Sequence, residues 1–87
     1  MYLALDNNKI GNSGMQSFAD AVAKKPMSQL KTLFLNDNKI GDAGLKALTT
    51  ALVDHEAMPR LEFIELDGNP ASQETQDAVK EAIPATA

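Results

Sequence analysis

The sequence predicts an α/β solenoid: about three strand–turn–helix units stacked side by side, with a parallel sheet on the concave side and helices on the convex side. Three observations carry that prediction. The sequence repeats itself with a period near 30 residues. The first part of each copy alternates apolar and polar residues, and the second part carries an apolar stripe at helical spacing.

The repeat is plain. Leu3-Ala4-Leu5-Asp6-Asn7-Asn8-Lys9-Ile10-Gly11 recurs 30 residues later as Leu33-Phe34-Leu35-Asn36-Asp37-Asn38-Lys39-Ile40-Gly41. The match continues with Gly14 on Gly44, Met15 on Leu45, Phe18 on Leu48, Ala21 on Ala51 and Val22 on Leu52. A third copy, Ile64-Glu65-Leu66-Asp67-Gly68-Asn69, follows after a further 31 residues. One domain of three units results, at about 1–29, 30–60 and 61–87.

Each unit holds two elements. Leu33 and Leu35 point inward while Thr32, Phe34 and Asn36 point outward, which is a short strand with one buried face. Leu45, Leu48 and Leu52 lie three and four apart, which is the apolar stripe of a helix. Asp42, just ahead of that stripe, is the expected N-cap, as are Asn12 or Ser13 and Ser72 in the other copies. Such a unit cannot bury both its faces alone, so it must stack on copies of itself.

The pattern Leu30-x-x-Leu33-x-Leu35-x-x-Asn38-x-Ile40-Gly41-x-x-Gly44-x-x-x-Leu48-x-x-x-Leu52 resembles the ribonuclease-inhibitor-like leucine-rich repeat. The resemblance covers essentially the whole chain and is specific, because many positions are fixed at once. It implies that Asn8, Asn38 and Asn69, at the turn leaving each strand, form a ladder in which each side chain bonds backbone groups of neighbouring turns. The chain bends inward there, and its buried amides need partners. Gly11 and Gly41 are expected to relieve crowding beyond the turn.

The two ends differ. In the third copy Gln76 replaces Met15 and Leu45, Thr75 replaces Gly14 and Gly44, and Pro70-Ala71 replaces Lys-Ile. Its helix, roughly Gln73 to Ile83, is otherwise polar, which suits a terminal capping unit, and Pro84 is expected to close it. The first copy lacks the leucine equivalent to Leu30 and Leu61. Its strand edge and apolar layer are expected to be exposed, and to be covered either by preceding repeats of a longer solenoid or by a partner such as a second copy.

Composition narrows the function. The 87 residues contain no cysteine, so disulfides and thiol chemistry are excluded and a reducing, cytoplasmic setting fits. A single histidine, His55, sits at the end of the second helix, where a cation favours the helix terminus and no nucleophile or ligand set accompanies it. Asp6-x-Asn8-x-Ile10-Gly11 superficially resembles a calcium loop, but Ile10 and Ser17 stand where oxygen ligands are required. No catalytic residue, metal site or cofactor is expected. The net charge of −4 disfavours nucleic acid as a partner, and no apolar run is long enough for a membrane span.

The outward strand positions form columns across the concave face: Tyr2, Thr32, Phe63; Ala4, Phe34, Glu65; Asp6, Asn36, Asp67; and Asn7, Asp37, Gly68. Three of the four aromatic residues (Tyr2, Phe34, Phe63) fall on this face, beside Asp6, Asn36, Asp37, Glu65 and Asp67. Exposed apolar side chains rimmed by acids mark a recognition patch for a protein with a basic and apolar surface. The expected function is therefore a non-enzymatic protein-interaction module. The runners-up are a structural cap of a larger assembly and a regulatory subunit of the Ran GTPase-activating type. The latter lacks a carrier, since the only arginine, Arg60, precedes the third strand.

Overall fold

The structure, a computed structural model, describes residues 1–83. Strands and helices alternate: β1 (Tyr2–Ala4), α1 (Asn12–Lys24), β2 (Thr32–Phe34), α2 (Asp42–Asp54), β3 (Phe63–Glu65) and α3 (Gln73–Glu81). The strands form one parallel sheet in the order β1-β2-β3. The register aligns Leu3, Leu33 and Ile64 on one face and the pairs Tyr2–Thr32–Phe63 and Ala4–Phe34–Glu65 on the other. The 30- and 31-residue offsets of the repeat are thus the sheet register itself.

The inward strand residues meet the helical stripes in one core. Leu33, Leu35, Ile40, Leu45, Leu48, Leu61 and Met15 are fully buried, with Ile64, Leu66 and Val79 beside them. The equivalent layer of the first unit is less covered, with Leu3, Leu5, Ile10 and Phe18 only partly buried against the cluster. Sheet pairing continues beyond the strands into the turns: Leu5 N donates to Phe34 O, Leu35 N to Glu65 O, Asn7 N to Asn36 O and Asp37 N to Asp67 O.

At that turn each chain copy adopts a left-handed conformation, with φ of 59° at Asn7, 56° at Asp37 and 80° at Gly68. Glycine and, less readily, asparagine and aspartate tolerate this region best, which accounts for the residue types of that column. Gly68 has a second reason: a side chain there would run into the Asp37 carboxylate and backbone.

One residue later stands the asparagine ladder. Asn38, 4% exposed, accepts from Asn8 N and Ile10 N through Oδ1 and donates through Nδ2 to Leu5 O, Leu35 O and Asn36 O. Asn69 repeats this one step on, accepting from Ile40 N and donating to Leu35 O and Leu66 O. The ladder therefore runs backward along the chain. The side chain of Asn8, which is exposed, makes only a local bond to Asp6 O among the described residues.

The helix starts differ from expectation. Gly11 and Gly41 are the N-cap residues of α1 and α2, in extended conformation and without a side-chain cap, while Ser72 caps α3 by accepting from Thr75 N. Asn12 and Asp42 sit inside the helix and reach forward to the next unit. Asn12 Oδ1 accepts from Gly41 N (2.8 Å) and Gly44 N (2.9 Å), and Asp42 accepts from Ser72 N (2.8 Å). For α2 the capping side chain is thus lent by the preceding unit, because stacking brings consecutive helix starts within hydrogen-bond reach. This also divides the role expected of the glycines. A Cβ at Gly11 would meet nothing closer than 3.9 Å, whereas at Gly41 it would crowd Asn12 Nδ2 at 3.2 Å and at Gly44 it would lie 2.7 Å from Asn12 Oδ1 and 2.9 Å from Ile40 Cγ2. The tightest approach is at Gly44.

The third unit relaxes these needs. Thr75 takes the place of Gly44 next to the Ser72 cap, and Gln76, at the position of Leu45, donates its side-chain amide to Ala71 O. Pro84, expected to close the helix, lies outside the described residues.

Two outcomes follow. Asn38→Ala orphans two amide donors and up to three carbonyls in the interior and should lower stability by about 3 kcal/mol in urea unfolding, whereas Asn8→Ala should change it by less than ~0.5 kcal/mol. The backbone bond from Ser72 holds the Asp42 carboxyl below its ordinary value of 3.8. A depressed pKa gives stability that is present above the unfolded value and lost as pH falls through the folded one. Asp42→Asn should therefore be less stable than the natural chain at pH 7, and the gap should close as pH drops below 3.8.

Candidate partner-binding site

The concave face is built from the outward positions of three very short strands, so each unit contributes two or three side chains. At the strand starts, Tyr2 is 68% and Phe63 52% exposed, with half-buried Thr32 between them. Phe34 is half-buried because it lies on the central strand, flanked on both sides. Its ring meets that of Tyr2 edge to face, with centroids 5.9 Å apart at 75°. That is the arrangement the ring quadrupoles prefer. All three aromatics therefore share one solvent-facing surface.

Beyond them lie the polar columns, and here the structure divides residues that look alike in sequence. Asp6 accepts from Asn36 N at 2.7 Å, and Asn36 Oδ1 accepts from Asp67 N at 2.8 Å. Asn36 Nδ2 also donates to Glu65 Oε1 at 2.9 Å. Asp6 and Asn36 are half-buried and tie one unit to the next. Asp37 and Asp67 are exposed, and the Asp67 side chain has no donor among the described residues. The face thus runs from aromatic at the strand starts to acidic at the strand ends. Six of the twelve acidic residues fall within residues 61–87, against a single lysine, so the field is strongest over the third unit.

Other chemistry is sparse. Among the described residues no group of three or more His, Asp or Glu could hold a metal ion. His55 is the exposed C-cap of α2. Among the described residues the convex side shows open clefts, including one lined by Gln16, Asp20, Ala47 and His55 and one by Lys46, Thr49 and Glu74. Asn12 and Asp42 are the functional side chains that sequence reasoning misplaced. Their signal was a polar residue directly after Gly11 and Gly41, which fits a local cap equally well.

The family profile described as Leucine Rich repeat matches residues 1–19 and 28–48. These two stretches match leucine-rich repeats. The matches fall on β1–α1 and β2–α2, and the sheet and helices of the leucine-rich-repeat fold continue through β3 and α3. Leucine-rich repeats generally mediate protein–protein interaction and are typically non-enzymatic. No curated protein matches the chain. No described helix is long and apolar enough to cross a membrane.

The division within the acidic columns is measurable. Asn36→Ala should cost about 1–2 kcal/mol in urea unfolding, since it strips a bond from the Asp67 amide and a donor from Glu65. Asp67→Asn should stay within ~0.5 kcal/mol of the natural chain. Equal losses for the two would mean that the column is not divided into a structural and a free part.

Proposed function

We propose that this leucine-rich-repeat chain is a protein-interaction module that binds its partner through the concave sheet face. The observation that carries this reading is the placement of Tyr2, Phe34 and Phe63 on one solvent-facing sheet surface, next to Asp37, Glu65 and Asp67. Exposed aromatics held by a rigid sheet lose little entropy on binding and are favoured interface anchors. The acids beside them favour a partner with lysine or arginine around an apolar spot, and they repel nucleic acid phosphates. Asp6 and Asn36 support the face by fixing the spacing of its columns. The repeat length and the spacing of asparagine and glycine support the ribonuclease-inhibitor-like type of repeat.

A random peptide library selected on the immobilised chain tests this. Enriched peptides should combine apolar and basic residues, and their binding should shift the amide resonances of β1–β3. Phe34→Asp should weaken them by at least about tenfold while leaving the circular dichroism unchanged. Peptides that bind the folded Phe34→Asp variant as well as the natural chain would show that the patch is only structural.

A further inference from the structure

The concave face contains one carboxylate whose setting differs from the rest. Glu65 is half-buried, and its Oε1 accepts from Asn36 Nδ2. Asn36 is itself held by Asp67 N, so the Glu65 carboxylate is positioned by a side chain that cannot turn away without losing its own bond. The second oxygen of Glu65 has no protein donor, and no lysine or arginine pairs with this carboxylate among the described residues. Aromatic rings flank it on two sides. Phe34 is its direct neighbour on β2, about 4.8 Å away across the sheet, and Phe63 precedes it by two residues on the same face of β3, about 7 Å along the strand. Phe63 is exposed and Phe34 partly so.

We propose that Glu65, between Phe34 and Phe63, is the seat of an arginine side chain of the partner, and that this seat distinguishes arginine from lysine. The inference rests on the concave-face reading and adds the chemical class of the anchoring group. A guanidinium is planar and weakly hydrated, so it can lie on an aromatic ring while its edge donates to a carboxylate oxygen. An ammonium is compact and strongly hydrated. It reaches the carboxylate only by giving up water that the half-open site does not replace, and it gains little from the ring plane. Asp67, two residues on, adds a second negative charge on the arginine side without competing for Asn36 Nδ2. The remaining columns lack this combination: Asp6 lies next to Ala4 along its strand and is engaged by Asn36 N, and Asp37 lies in the turn.

The test uses the whole chain, labelled with nitrogen-15, and two blocked peptides, acetyl-Gly-Leu-Gly-Arg-Gly-amide and its lysine counterpart. The arginine peptide should shift the amides of Phe34, Phe63 and Glu65 and bind about fivefold more tightly than the lysine peptide. Glu65→Gln keeps an oxygen for Asn36 Nδ2, so it should fold as the natural chain does. It should reduce arginine-peptide affinity to the lysine level. Asp20→Asn, on the convex surface, should change neither affinity. Equal affinity for both peptides at the concave face, or an arginine preference that survives Glu65→Gln, overturns the arginine seat and leaves the concave-face reading standing. Shifts confined to the convex helices, or none up to the peptides' solubility limit, overturn both.

Discussion

Backbone amides at the turn out of each strand have to be satisfied in the interior, and the rest of this structure depends on how that is done. A strand that passes straight into a helix on the other side of the sheet cannot keep pairing with its neighbour through the bend. Asn38 replaces the missing pairs with five side-chain bonds, two accepted and three donated, which join its own turn to the one before. The left-handed residue just ahead of it, Asp37, aims the chain so that the amide can enter the core. With these turns fixed, the strands stand in register, Leu33 and Leu35 face the helices, and the outward residues line up in columns. A concave face is the by-product of satisfying a buried bend.

The polar links between units also have directions, and the directions oppose. Asn38 and Asn69 reach backward into the preceding unit, whereas Asp6, Asn12, Asn36 and Asp42 reach forward into the next. A unit with neighbours on both sides is therefore bonded from both. The middle unit is in that position, and its Leu33, Leu35, Ile40, Leu45 and Leu48 are all fully buried. Of their counterparts in the first unit only Met15 is fully buried, and Leu3, Leu5, Ile10 and Phe18 remain partly exposed. Stability in such a stack resides in the contacts between units as much as within them, which makes unfolding of any one unit a cost to its neighbours.

The strands, the helices and their register were legible because each rests on a period: two for the strand, three and four for the helix, and 30 or 31 for the stack. Asn38 was legible as structural through the resemblance to the ribonuclease-inhibitor-like repeat, which implies an asparagine ladder at this turn. Asn12 and Asp42 were read as local caps, since a polar residue at a helix start does serve that purpose in an isolated helix. Their true partners lie about 30 residues away, and no local pattern shows the distance between neighbouring helix starts. Asp6 and Asn36 were ambiguous for a related reason. Alternation shows that a strand residue points away from the core, but not that its carboxyl or amide can fold back onto the next strand's amide.

That fold-back is what gives the candidate site its grain. Close to the bend the units must be tied together, so the polar residues of the third column, Asp6 and Asn36, hold the curvature. At the strand starts the sheet's own hydrogen bonds already hold the units, and the side chains there are free of that duty. Tyr2 and Phe63 occupy those positions, and Phe34 follows at the end of β2 beside Glu65. Glu65 stands between the two regimes: one oxygen is bonded to the structural network through Asn36, and the other is left for whatever docks on the aromatic side. A carboxylate held in this way is pre-organised by the same interactions that shape the sheet, so rigidity and recognition on this face have a common physical origin.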